Sequence, residues 1–302
     1  MKNNKEIVFF DKNINRKSEI VKKSLQYFKD TNIPMPSVIE ISDSGVCNRK
    51  CSFCPRSNPE WIEKFDNTEF IRKELHEKIC KELSENDYKG IVVYSGFNEP
   101  LLNKKCYENI ARTREYLPDA KIELITNGDA LNLKRLVKLF NSGLSTILIS
   151  VYDGPEDEEK FKKLVLDAGL NEKQYVIRNR YLPPEEDFGI TISNRSGLMD
   201  KAEHKISSLK IALEEPCFYP SYSFFIDYNG DVLMCSHDWG KKNILGNLNF
   251  SSIYEIWTSQ NAENSRKNLY NAKRNFSPCN VCDVKGSLIG LDHAKKFKEI
   301  HK

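Results

Sequence analysis

The sequence predicts an α/β protein in which repeated strand and helix units build a mainly parallel sheet, followed by a smaller α+β domain. Three observations support this. Short apolar strands alternate with amphipathic helices from about residue 37. Polar segments follow several of these strands, and the first holds a tight group of cysteines. Beyond residue 200 the alternation gives way to a hairpin pattern and a second cysteine group. Three regions are expected: residues 1–36 as an N-terminal helical extension, 37–200 as the sheet domain and 201–302 as the smaller domain.

In the extension, Ile20, Val21, Leu25 and Phe28 recur at helical spacing. Ile33-Pro-Met-Pro36 breaks that pattern before a first strand at Val38–Ile41. Glu69–Asn86 then reads as a helix, Ile91–Tyr94 as a strand, Lys104–Tyr116 as a helix and Ile122–Ile125 as a strand. Leu131–Asn141, Thr146–Val151, Glu156–Ala168 and Tyr175–Ile177 continue the alternation, and Ile190 and Ile192 suggest a sixth strand. About six units are too few for a closed eight-unit barrel. A partial barrel and a doubly wound open sheet both fit this pattern.

Composition narrows the function. A net charge of +3 and the absence of a basic run interleaved with aromatics give no reason to expect nucleic acid as a partner. No apolar run is long enough to cross a bilayer, and the Lys- and Asn-rich start lacks the apolar region of a secretory signal. A cytoplasmic location is expected. Nine cysteines in such a chain point to metal rather than disulfides. Cys80 and Cys106 fall within helix-like segments and read as small packing residues.

Cys47, Cys51 and Cys54 form C-x3-C-x2-C just past the first strand. A cubane iron–sulfur cluster usually takes four thiolates, so three leave one iron open to another ligand. Structural zinc prefers four closed ligands and is the alternative. This spacing, with Phe53 before the last thiol, resembles the radical S-adenosylmethionine (SAM) superfamily. The resemblance implies a partial (β/α)6 barrel and a [4Fe-4S] cluster whose open iron is chelated by SAM, which is cleaved reductively to a 5′-deoxyadenosyl radical. Tyr94-Ser-Gly-Phe-Asn-Glu-Pro100 resembles the family's glycine-rich element, with Ser95-Gly96 in place of Gly-Gly. By that resemblance Gly96 and Glu99 hold the SAM ammonium, and Asn127, Ser150 and Arg178, at later strand ends, contact its ribose and carboxylate. Arg195, in a polar cluster at residues 192–197, is a candidate substrate clamp.

Cys217, Cys235, Cys279 and Cys282 make a second set, enough for a closed site. Apolar runs flanking Tyr228-Asn-Gly-Asp231 predict a hairpin that delivers Cys235. Ser252-Ile-Tyr-Glu-Ile-Trp257 predicts a capped helix. This order resembles SPASM/twitch auxiliary-cluster domains and implies a second, fully ligated [4Fe-4S] cluster; a zinc ribbon is the alternative. The compact length and lone second site resemble the single-auxiliary-cluster aminocyclitol and sugar dehydrogenases. That implies hydroxyl oxidation on a small polar substrate, with a low-potential flavodoxin or ferredoxin as electron donor. His237 is a candidate for proton exchange, as are Tyr152, Asp153 and Asp238. Radical modification of a ribosomally made peptide and a non-catalytic metal scaffold or electron carrier are the rival readings.

Overall fold

The computed structural model describes residues 12–182, 193–200 and 207–300. Five parallel strands come first: β1 (Val38–Ser42), β2 (Ile91–Tyr94), β3 (Lys121–Thr126), β4 (Thr146–Val151) and β5 (Tyr175–Asn179). Between them run α3 (Lys73–Ser84), α4 (Cys106–Tyr116), α5 (Leu133–Asn141) and α6 (Pro155–Asp167), with a short α2 (Pro59–Phe65) after the cysteine loop. The strands lie in the sheet in strictly consecutive order. Right-handed crossovers that always step the same way put every helix on one face, so the sheet is barrel-like. A doubly wound sheet would reverse direction part-way.

The sixth parallel strand comes from further along the chain. β6 (Ser223–Asp227) pairs in parallel with the free side of β1 and continues antiparallel into β7 (Asp231–Leu233) and β8 (Ile244–Asn247). The sixth strand expected at Ile190 and Ile192 lies outside the described residues. The eight-stranded sheet therefore runs through the boundary expected after residue 200, joining both cysteine-bearing regions in one framework. The predicted hairpin forms, with Gly230 at φ +92° in its turn. A short α7 (Tyr219–Tyr222) leads into β6, and after the hairpin come α8 (Ile253–Trp257), opened by the reciprocal Ser252 and Glu255 capping box, then α9 (Gln260–Tyr270) and α10 (Leu291–Ile300).

Alternation along the strands splits the sheet into two unlike faces. Ile39, Ile41, Val92, Tyr94, Ile122, Leu124, Ile147 and Ile149 point toward the helices and join the main core. Cys80 and Cys106 are buried on this side as packing residues. The inner face carries Val38, Glu40 and Ser42 on β1, Ile91 and Val93 on β2, Glu123 and Ile125 on β3, and Phe225 and Asp227 on β6. Register sets Glu40, Val93, Glu123 and Phe225 side by side in one row. Ser150 and Arg178 stand opposite each other nearer the C-terminal edge.

The N-terminal helix differs from expectation in place and extent. α1 spans Lys12–Lys23 and stops before Leu25 and Phe28, although Phe28 still reaches the main core. It lies against the inner face. Val21 packs with Val38, Ile91, Val93 and Tyr222, and Arg16 forks onto Glu123 at 2.5 and 2.8 Å. Pairing of Tyr27 with Pro34 then turns the chain into β1.

Candidate active site

The cysteine loop leaves β1 at its C-terminal end and is tied down on two sides by arginines. Arg56, 5% exposed, donates to the Phe97 carbonyl at 2.8 Å, the Gly45 carbonyl at 2.8 Å and Asp66 at 2.7 Å, and it faces Trp61. The Glu99 backbone N–H donates to the Val46 carbonyl. Over the mouth, Arg49 forks onto Asp129 at 2.5 and 2.7 Å and onto Asp153 at 2.6 and 2.9 Å. These pairs hold both carboxyls below their usual pKa range. Asn48 bridges the same region, donating to Asp129 and accepting from Asn127. Phe53 packs on Tyr152 with ring centroids 5.3 Å apart. Three chain segments from β2, β3 and β4 thus fix one loop.

Cys47, Cys51 and Cys54 are close enough for each thiolate to raise the cost of another. Burial pushes the Cys51 thiol up to about 11, with Cys54 and Cys47 adding to it. Cys47 is also raised, first by burial, while the Arg49 backbone N–H and the Arg56 charge pull it back. Such thiols need a bound cation to stay ionised.

Behind the loop, Gly96 adopts φ +122°, and a Cβ there would lie 2.8 Å from Ser42 and 3.0 Å from the Phe225 ring. Only glycine fits. Glu99 is 2% exposed, and its carboxylate already accepts from Leu101 N–H, Thr126 hydroxyl and Asn127 N–H at 3.1, 2.6 and 2.8 Å. Burial raises its pKa against those donors. One lone pair of Oε2 is left for an incoming donor, so the acid braces β2 against β3 before it meets any ligand. Asp43 is a site residue that sequence reasoning missed. It is fully buried, accepts from Asn98 at 2.6 Å and Asn103 at 2.7 Å, and burial lifts its pKa to about 7.

The second set converges more completely. Cys217, Cys235, Cys279 and Cys282 line one cavity together with Met234 and Leu269. Burial drives the Cys235 thiol far up, with the other three adding to it. Arg274, 2% exposed, donates to the carbonyls of Glu215, Pro216 and Val284 and so braces the segments that present Cys217 and Cys282. A Cβ on Gly286 would overlap Cys217 Sγ, at 2.1 Å.

Both thiol sets suit a group larger than one ion. Tetrahedral zinc draws sulfurs to within about 3.8 Å of one another, as follows from its 2.3 Å bonds. Among the described residues no three Cys, His, Asp or Glu side chains come together tightly enough to hold one ion. The donor sets themselves fit cubanes: four thiols lining one cavity match its four irons, and three in one loop leave one iron open.

Arg195 and His237 meet beside the second set. Asn194 is fastened to the second one, its N–H donating to both oxygens of Asp283 at 2.9 Å and its side chain to the Val281 carbonyl. That places Arg195, at φ +46°, with its guanidinium 3.4 Å from His237 Nδ1. Ser193 and Tyr219 hydroxyls also contact the imidazole, at 3.3 and 3.4 Å. Burial, then the Arg195 charge, lowers the His237 pKa to about 3, so the ring is neutral.

Two expected proton acceptors are otherwise engaged: Asp153 is locked to Arg49, and Asp238 accepts the backbone N–H groups of Lys242 and Asn243. Tyr152 is half-buried, and desolvation raises the pKa of its hydroxyl. The wall between the thiol sets is aromatic. Trp61 donates to the Trp239 carbonyl, while Phe97 lies 4.4 Å from Trp239 and 4.8 Å from Phe225, centroid to centroid.

Comparison with known proteins agrees with this geometry. Residues 41–178 match the radical SAM superfamily, and residues 217–283 match SPASM, an iron–sulfur cluster-binding domain. The chain is 28% identical over 248 residues, 82% of its length and 92% of the relative's, to the S-adenosyl-L-methionine-dependent 2-deoxy-scyllo-inosamine dehydrogenase of Niallia circulans. It is 32% identical to the GTP 3′,8-cyclase of Helicobacter pylori, but over only 37% of this chain and 34% of that one. Among solved structures it resembles BtrN in complex with AdoMet and 2-DOIA, with TM-score 0.70 and 27% identity over 86% of this chain and 98% of that chain. Among the described residues, no helix is long and apolar enough to cross a membrane.

Proposed function

We propose that this chain, a radical SAM superfamily member carrying a SPASM-type iron–sulfur domain, oxidises a hydroxyl-bearing carbon of a sugar or aminocyclitol. The observation that carries the reading is the shared sheet, which joins the three-thiol loop after β1 and the four-thiol cavity fed by the β6–β7 hairpin in one framework. When bound, SAM and a cluster on Cys47, Cys51 and Cys54 would supply a radical able to take one hydrogen atom from the substrate carbon, and a cluster on Cys217, Cys235, Cys279 and Cys282 would supply an acceptor for the electron left when the hydroxyl proton departs.

Residues of the chain set the geometry for that chemistry. Cys47, Cys51 and Cys54 hold the first cluster, and Arg49 and Arg56 keep their loop from swinging. Gly96, Glu99, Asn127, Ser150 and Arg178 form the edge that receives SAM, and Phe53 with Tyr152 walls it. Cys217, Cys235, Cys279 and Cys282 hold the second cluster, and Arg274 offsets part of its negative charge. Arg195 clamps a substrate oxygen, since a guanidinium donates and does not accept. Neutral His237 offers an imidazole beside it, oriented by Ser193 and Tyr219. Its low pKa makes it a hydrogen-bond partner rather than a resting base.

In this reading the enzyme works in the reducing cytoplasm with a low-potential flavodoxin or ferredoxin as donor. The test is anaerobic turnover with carbon-deuterated polyols. Deuterium in 5′-deoxyadenosine and a ketone product in equal amounts support oxidation, whereas label arising only from peptide substrates overturns it.

A further inference from the structure

The inner face of the sheet is walled by a helix that the cysteine motifs do not account for. α1 enters the described structure at Lys12 and runs down toward the start of β1, where the Ser37 hydroxyl donates to the Ser24 carbonyl. Its lower turn is apolar, with Val21 in the cluster that includes Val38, Val93 and Tyr222, and with Ile20 and Tyr219 both packed against that cluster. One turn higher, Arg16 is spent on Glu123. Lys17 stands four residues before Val21 and so shares its inward stripe. Tyr219, which touches this stripe, is the residue that contacts His237 Nε2.

Donors and acceptors around this space do not balance. Glu40 accepts from the Ser95 hydroxyl at 2.7 Å, and both oxygens of Asp283 are held by the Asn194 N–H. Arg195 Nε is buried with no acceptor. Lys17 makes no ion pair among the described residues, while its neighbour Arg16 does. A buried guanidinium N–H with no acceptor and, on the inward stripe of α1, an ammonium outside any ion pair leave donors for a ligand that brings acceptors.

We propose that α1 forms a wall of the substrate chamber and that Lys17 is a specificity-determining residue, holding with Arg195 an anionic group, carboxylate or phosphate, on the polyol substrate. This rests on the sugar-oxidising reading and narrows it. The cluster-loaded protein binds glucose 6-phosphate or glucuronate about tenfold more tightly than glucose or glucosamine, as one charge-assisted contact gives. Lys17→Met removes that preference and Lys17→Arg restores most of it, with iron content and the circular dichroism spectrum checked in each. The better of the two anions tells phosphate from carboxylate.

Titration calorimetry in which neither anion outbinds glucose overturns the proposal, as does a preference that survives in Lys17→Met. The parent reading is tested separately. Deuterium transferred equally well from anionic and from neutral or amino sugars, by wild type and Lys17→Met alike, keeps sugar oxidation and removes the role of Lys17, whereas label from peptides alone removes both.

Discussion

The two thiol sets solve opposite problems with the same residue type. The first is an open loop of three half-buried cysteines held from outside, by Arg56 beneath and Arg49 over the mouth. The second is a pocket of four, closed by apolar side chains and braced from behind by Arg274. An open site has to be fastened by polar contacts at its rim, because apolar packing there would fill the space a ligand needs. A closed site can be built like a core, with glycine at Gly286 making room where sulfur approaches backbone.

The largest effect that would break this contrast is at the loop. Cys51→Ser is expected to abolish 5′-deoxyadenosine formation and to lower reconstituted iron from about eight per chain to about four. Cys279→Ser is expected to lose a similar amount of iron yet keep reductive cleavage of SAM, while product oxidation falls about a hundredfold or more for want of an electron acceptor. Equal loss of cleavage in both variants would erase the division of labour.

Arg49→Ala sharpens the comparison at the rim. Four hydrogen bonds and two ion pairs disappear, and the KM for SAM should rise by about tenfold while the second site keeps its iron. Arg49→Lys is expected to recover only part of this, because an ammonium cannot fork onto two carboxylates. An unchanged KM in Arg49→Ala would show that the latch is ornamental.

The smallest effect is in pH dependence. The folded pKa of Asp43, about 7, lies above its ordinary value near 3.8, so the folded state binds this proton more tightly than the unfolded chain. Its contribution to stability is fully present below the unfolded value and is lost as pH rises through about 7. Asp43→Ala should therefore flatten part of the decline in denaturation midpoint between pH 4 and pH 7. A midpoint profile of unchanged slope would mean that Asn98 and Asn103 already hold the group ionised.

Local chemistry made much of this legible from the sequence. Cysteine spacing marks a metal loop because the geometry of a cluster fixes how far apart thiols along one segment can be, and Asn229-Gly230 marks a hairpin because few residues tolerate its backbone. The Ser252 capping box, the strand and helix alternation and the packing role of Cys80 and Cys106 depend on neighbours close in the chain in the same way.

What only the tertiary structure decided involves partners far apart. Consecutive strand order chose the barrel-like sheet over the doubly wound one, and β6 crossed from the second cysteine region to the free side of β1. Arg49 lies 80 residues before Asp129 and 104 before Asp153, and Arg274 grips carbonyls as far as 59 residues before it. A buried cation announces itself only through what it meets, and α1 could equally have packed outside the sheet. Apolar periodicity fixes which side of a helix seeks burial, whereas the sheet face that receives it depends on where charged partners such as Glu123 stand once the strands are in register.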